Sequence, residues 1–429
     1  MKKIGLFLFG ICFALQMVAQ EQNYFTNPVI RGDVPDPSVI RIEDTYYATG
    51  TSSEWAPFYP MFTSKDLVNW KQVGHVFTKQ PSWTSNSFWA PELFYHNNKV
   101  YCYYTARQKS TGISYIGVAT SDSPLHEFTD HGPIVEYGKE AIDAFIYDDN
   151  GQLYISWKAY GLDTRPIELL GCKLSADGLH LDGEPFTLLV DEKGIGMEGQ
   201  YHFKEGDYYY IVYAAHGCCG PSSDYDVYVA RARNYGGPYE KYSGNPILHG
   251  GEGDYKSCGH GTVVRTSDGR MFYMCHAYLK GDGFFTGRQP ILQEMEMTDD
   301  HWVRFKTGNL AIAEQPVPFV GTKQEPLSDF EDNFKGNQLK VDWTWNYPYS
   351  DIHAVLKKGK LFLSGTPKNN NKYGTALCLR PQSPQYSCET KVINTGKGLK
   401  GLTLYGDDKN LIAWGIEGDK LILKVVKDD

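Results

Sequence analysis

The sequence predicts an all-β protein: a five-bladed β-propeller followed by a β-sandwich. Three observations carry this. Five aromatic, strand-like runs recur about 50 to 65 residues apart between residues 30 and 320. That period, with several short strands in each unit, is the signature of a propeller blade. Turn-forming Gly and Pro are plentiful, at 44 and 22, while stretches of helical periodicity are scarce. Finally, 429 residues exceed one ordinary core, so two domains are expected.

The chain opens on a secretory signal, residues 1–19. Lys2 and Lys3 form the charged start, Ile4 to Leu15 an apolar run, and Met17-Val18-Ala19 a small-residue cleavage site before Gln20. The apolar run falls short of the ~20 residues that span a bilayer. A mature protein without membrane insertion, periplasmic or extracellular, is therefore expected.

The repeat occupies residues 25–320. Its aromatic openers are Thr45-Tyr46-Tyr47-Ala48, Val100 to Tyr104, Leu153 to Trp157, Tyr208 to Val212, and Met271 to Met274. Each follows an acidic, amide or glycine turn, such as Glu43-Asp44 or Asp149-Asn150-Gly151. Ser/Ala-rich strands come later in the units, as in Ile116 to Ser121 and Val227 to Ala232. Radial repetition sets the first strand of each blade against a central channel, where distant polar residues can converge.

The composition changes after Pro316-Val317-Pro318. Residues 326–429 read as a second domain, a β-sandwich with alternating strands such as Leu361-Phe362-Leu363. About 105 residues are few for a two-sheet, lectin-like fold, and Leu421 to Val426 has no strand after it. An incomplete sandwich is expected.

Formal charge is −9, moving to −11 without the signal, which carries two lysines and no acid. An acidic surface without basic clusters argues against nucleic-acid binding and suits a neutral glycan. Nothing in the sequence sets an oligomeric state. Of nine cysteines, Cys12 leaves with the signal. Cys102, Cys172 and Cys275 sit in strand-like runs and read as buried thiols. Cys218-Cys219 and Cys258 stand apart, and a disulfide through Cys218 or Cys219 is one outcome that an oxidising compartment permits. Paired zinc-ligand spacings are absent.

Function is written in three acidic signatures: Val34-Pro35-Asp36-Pro37-Ser38, Ala141-Ile142-Asp143-Ala144 and Met197-Glu198-Gly199. Each sets one carboxylate in an apolar or turn-forming context. Glycoside hydrolysis needs two such groups, an acid for the leaving oxygen and a base or nucleophile. A third can hold the acid's pKa and orientation.

Together these motifs resemble glycoside hydrolase family 43 over about residues 30–320. The resemblance implies a five-bladed propeller that inverts the anomeric centre. It makes Asp36 the general base, Asp143 the pKa-modulating aspartate and Glu198 the general acid. Trp89-Ala90-Pro91-Glu92 matches the segment that opens the second blade. Gly259-His260-Gly261 matches a segment whose His approaches a buried cation, for which calcium is the expected ion. Gly287-Arg288-Gln289 matches a last-blade arginine that contacts substrate. The segment Phe330 to Trp345 resembles the β-sandwich often appended to family 43 xylosidases. Cys218-Cys219-Gly220 departs from the family's pattern.

The residues support these roles in their own chemistry. Two prolines fix the backbone around Asp36; as a base it must be ionised. Glu198 lies in Gly194-Ile195-Gly196-Met197, where desolvation should raise its pKa and keep it protonated. Asp143 beside it would add a negative charge to the same end. Arg288 would bind sugar hydroxyls or pair with a carboxylate. Trp89 and Trp55 would stack on sugar faces or pack in the core.

The expected activity is removal of a terminal pentose, α-L-arabinofuranosyl or β-D-xylosyl, from a plant polysaccharide or oligosaccharide. Endo-arabinanase and a catalytically silent glycan-binding propeller are alternatives, though a binding module has no need of the acidic trio. A retaining fructan hydrolase is disfavoured because a Trp-Met-Asn-Asp-Pro segment is absent near the start.

Overall fold

The computed structural model describes residues 24–159, 166–393 and 397–427; the signal segment lies outside them. Among these residues every regular element is a β-strand, and no helix is long and apolar enough to cross a membrane. Five four-stranded antiparallel sheets follow one another in chain order. Blade 1 holds Ser38–Ile42, Thr45–Thr49, Phe58–Ser64 and Lys71–Phe77. Blade 2 holds Trp89–His96, Lys99–Arg107, Ser114–Ser121 and Thr129–Val135. Blade 3 holds Ala141–Asp149, Gln152–Ala159, Glu168–Lys173 and Phe186–Val190. Blade 4 holds Glu198–Glu205, Tyr208–Ala215, Asp226–Ala232 and Glu240–Lys241. Blade 5 holds Tyr255–Arg265, Met271–Leu279, Arg288–Met297 and Val303–Phe305. The first strands neighbour one another in order, and that of blade 5 returns to that of blade 1. The ring is closed, which leaves no open inner edge.

Five apolar clusters hold the ring, one between each pair of adjoining blades. This explains where the aromatic residues go. The second strand of a blade has a strand on either side and a blade on either face. Lys99–Arg107, Tyr208–Ala215 and Met271–Leu279 are accordingly buried almost throughout. The aromatic runs are thus second strands, one step later in each blade than the sequence implied. The innermost strand precedes the turn and is less apolar because it faces the channel.

The inner strands share one irregularity. Asp36, Ala90, Asp143, Gly199 and His260 have φ of 56°, 39°, 59°, 62° and 46°, one residue for each blade. The pairing of the inner strand slips at or beside this point in blades 2 to 5. A left-handed residue in a bulge re-aims its neighbours and is rare outside Gly. The freed backbone groups stitch blades together. Ala90 N–H donates to Thr51 Oγ1 of blade 1 at 2.7 Å, and Asp143 N–H to Thr105 Oγ1 of blade 2 at 3.2 Å. Asp36 N–H faces His276 Nδ1 of blade 5 at 3.1 Å.

Glu92 lies half-buried on the inner strand of blade 2. Burial pushes its carboxyl up to about 8, against one supporting hydrogen bond from Ser38. The folded protein therefore holds a proton that the unfolded chain has lost, and stability should fall as pH rises from the ordinary carboxylate range through about 8. Glu92→Gln is expected to remove this fall. Thermal midpoints recorded from pH 5 to 9 check it, and parallel profiles for the two proteins would refute it.

The second domain contributes the hairpin Ser350–Leu356/Leu361–Pro367 and the sheet Lys400–Tyr405, Leu411–Glu417, Lys420–Val426. Leu421, Leu423 and Val425 lie exposed on the last strand. The domain joins the propeller where Trp345–Asn346 pairs with Trp55–Ala56.

Candidate active site

Strands alternate in direction, so first strands begin at the end of the propeller where second strands finish. All three acidic signatures lie at this mouth, at the tops of blades 1, 3 and 4. Their side chains are 10, 7 and 16% exposed for Asp36, Asp143 and Glu198, so Glu198 is the most open.

Asp36 sits among one hydroxyl and three nitrogen groups. Thr51 Oγ1 donates to Oδ2 at 2.6 Å. Oδ1 lies 3.1 Å from His276 Nδ1, 3.4 Å from His260 Nδ1 and 3.6 Å from Arg288 Nη1. Burial alone would raise its pKa, but Arg288, His260 and His276 outweigh it and hold the carboxyl far below the usual range. Gly287 makes Arg288's approach possible: a Cβ there would meet Asp33 Oδ1 at 2.4 Å. That same oxygen accepts from Arg288 N–H at 2.8 Å.

Asp143 Oδ2 accepts from Gly199 N–H at 3.1 Å and lies 3.8 Å from His260 Nδ1. His260 thus stands between two aspartates, and bridges the halves of the acidic trio. Burial pushes Asp143 up to about 7, with the charge of Glu198 adding to it.

Glu198 departs from the sequence expectation. Burial does raise it, but Lys158 Nζ sits 2.5 Å from Oε2, and Tyr225 Oη donates to Oε1 at 2.9 Å. These partners pull Glu198 below its ordinary value. The raised carboxyl of the pair is Asp143 instead. The two share a microenvironment and titrate as a pair, in which burial pushes Asp143 up while Lys158 and Tyr225 pull Glu198 down.

The remaining predicted residues separate. Arg288 and His260 join the trio. Trp89 begins the inner strand of blade 2, with the Arg107 guanidinium 5.9 Å from its ring centroid. Trp55 is occupied by the second domain: its strand pairs with Trp345–Asn346, and its ring meets Tyr405 edge-on at 6.1 Å. It is a domain contact. Around His260, no three His, Cys, Asp or Glu among the described residues form a metal-sized group. The side chains present do not make a calcium cage, and no catalytic step is drawn through one.

Sequence reasoning missed Lys158, Tyr225, His276 and Thr51. Lys158 did leave a signal, as a charge inside the apolar run Tyr154 to Ala159. His276 left a similar one inside Met274-Cys275-His276-Ala277. Tyr225 left none.

Residues 25–303 match the model of glycosyl hydrolases family 43, and 331–429 match the concanavalin A-like C-terminal domain of β-xylosidases. A xylan 1,3-β-xylosidase of Vibrio sp. is 28% identical, over 88% of this chain and 76% of its own. A non-reducing-end α-L-arabinofuranosidase of Bacteroides ovatus is also 28% identical, over 95% of this chain and 78% of its own. A solved family 43 protein from Bacillus licheniformis superposes with a TM-score of 0.77 at 23% identity, covering 94% of this chain and 81% of the other, which establishes the shared fold. A closed five-bladed ring with its acidic trio at one mouth, matched by family over most of its length, has one reading: the chain belongs to glycosyl hydrolases family 43 and is a glycosidase.

Proposed function

We propose that the protein removes terminal pentoses from plant polysaccharides or their oligosaccharides with inversion, α-L-arabinofuranosyl as first choice and β-D-xylosyl as second. The observation that carries the proposal is the contrast between Asp36, whose carboxylate lies against His276, His260 and Arg288, and the buried Asp143–Glu198 pair, in which one carboxyl is pushed up. An ionised carboxylate on one side suits a base that takes a proton from the attacking water. A proton-holding pair on the other suits an acid for the leaving oxygen. The named activities of the xylosidase and arabinofuranosidase relatives support a pentose.

Paired 4-nitrophenyl α-L-arabinofuranoside and β-D-xylopyranoside test it, with proton NMR of the first-formed sugar to read its anomer. Hydrolysis of neither, with shortening of polymeric arabinan, would replace this reading by an endo-acting one. A first product of retained configuration would remove the single-displacement step.

Lys158 sets the pH range in this scheme. Lys158→Met removes the cation against Glu198, so the carboxyl should hold its proton to higher pH. The alkaline limb of kcat/KM should then move upward; a limb that stays or moves down would count against the scheme.

Two further proposals are separable. Export predicts a mature N-terminus at Gln20, read by N-terminal sequencing of the secreted protein; an intact Met1 would refute it. A calcium ion near His260, held through water rather than by a cage of side chains, predicts activity lost on chelation and restored by Ca2+. Full activity in a metal-free preparation would end that proposal.

A further inference from the structure

Apart from its last residue, Tyr225, the loop between the second and third strands of blade 4, residues 216–225, has no role in the chemistry so far. It crowns the mouth beside Glu198, whose strand partner is Ala214, just before the loop. Within it Cys218 and Cys219 are joined to each other, while Cys102, Cys172, Cys258, Cys275, Cys378 and Cys388 are free thiols. The one described disulfide is thus placed at the mouth, with Cys219 exposed and Cys218 half-buried.

The loop is built to hold its shape. Gly217 N–H donates to Asp224 Oδ1 at 2.9 Å, and Asp224 N–H returns to Gly217 O at 3.2 Å. Ser223 Oγ donates to Gly217 O at 3.0 Å. Blade 5 anchors it from outside. Gly220 N–H, the next group after the cysteines, donates to Tyr278 Oη at 2.9 Å, and Ser223 Oγ meets Ser257 Oγ at 2.7 Å. Tyr278 is the cross-strand partner of Arg288, so the anchor reaches the group that faces Asp36. The loop ends on Tyr225, whose hydroxyl holds Glu198 and whose ring stacks on His276 at 5.6 Å. Gly259 makes room for that ring, since a Cβ there would come within 2.4 Å of it.

An acid that protonates the glycosidic oxygen has the leaving group on its own side. The loop borders Glu198 on blade 4, whereas Asp36 stands on blade 1. The loop leaves the strand that pairs with Glu198 and returns on Tyr225, which holds Glu198, so its cysteines border the acid. Two adjacent cysteines closed into one small ring present polarisable sulfur and little else. The ring has no rotamers to lose, so a contact with the apolar face of a sugar costs little ordering.

We propose that the Cys218–Cys219 ring is the wall of the leaving-group subsite, taking the sugar ring next to the scissile bond of an oligosaccharide. This rests on Glu198 as the acid. The test compares kcat/KM on an oligosaccharide with kcat/KM on whichever 4-nitrophenyl glycoside the enzyme turns over. A failed pentose assignment changes the sugar used, and leaves the comparison intact. Mass spectrometry of the alkylated native protein first establishes the bond. Dithiothreitol then reduces it, delivering two electrons and two protons to give two thiols while the reagent closes to its own disulfide. The oligosaccharide-to-aryl ratio is expected to fall about tenfold, the scale of a lost apolar contact. The fall should be seen mainly in KM. Reoxidation should restore it. A Cys218→Ser/Cys219→Ser variant should show the low ratio without response to reductant. An unchanged ratio, an equal loss on both substrates, or free thiols at both positions in the native protein would each overturn the proposal.

Discussion

Glu198→Gln is expected to lower kcat/KM on oligosaccharides by at least ~10²-fold, the usual worth of a positioned acid. The amide oxygen can still accept from Lys158, and its NH2 can donate to the Tyr225 hydroxyl, the groups that hold Glu198 at 2.5 and 2.9 Å, so the fold should survive. What the amide cannot do is give a proton to the leaving oxygen. The deficit should therefore depend on how much the leaving group needs that proton. It should be large for sugars, smaller for 4-nitrophenol, and should shrink steadily along a series of aryl glycosides of falling phenol pKa. Rates on that series are the measurement. A uniform loss across it would show that Glu198 acts otherwise than as the acid.

Asp36→Asn should show no such dependence on the leaving group. Loss of the base leaves water unactivated whatever departs, so a fall of at least ~10²-fold is expected on every member of the series. Near-normal turnover would remove Asp36 from the mechanism. A second effect follows from its surroundings. Arg288, His260 and His276 outweigh burial and hold the folded carboxyl far below its ordinary value of 3.8. The native ion therefore contributes stability that is present above that value and lost as pH falls below it. The stability gap between wild type and Asp36→Asn should be full at neutral pH and should close on acidification. A gap that widens in acid would contradict this electrostatic account.

The two variants also bear on the sharing of one proton near Lys158. In the free enzyme the raised group is Asp143, whereas turnover needs the proton at the leaving oxygen. Lys158, buried against Glu198, therefore biases the free enzyme away from the protonated acid, and its replacement has a definite direction in the pH profile.

Much of the fold was legible because propeller blades repeat one physical situation. A second strand enclosed on both faces must be apolar and aromatic, and its turn must be short and polar. Both features survive in one sequence. The phase of the repeat was less legible. Inner strands such as Glu198–Glu205 and Tyr255–Arg265 carry Gly, His and Gln because they face the channel, and so look least like strands. Trp55 was left open between a sugar contact and packing for a related reason. An exposed-looking aromatic gives no sign of whether a sugar or a second domain covers it.

The sequence by itself determined the all-β class, the two-part organisation and the three carboxylates, because each is encoded in local spacing and local context. Only the tertiary structure decided how those carboxylates are charged. Asp36 meets its nitrogen partners across blades 1 and 5, and Glu198 meets Lys158 from blade 3. A pKa is set by the charges and burial around a group, and these partners stand 40 to 252 residues away along the chain.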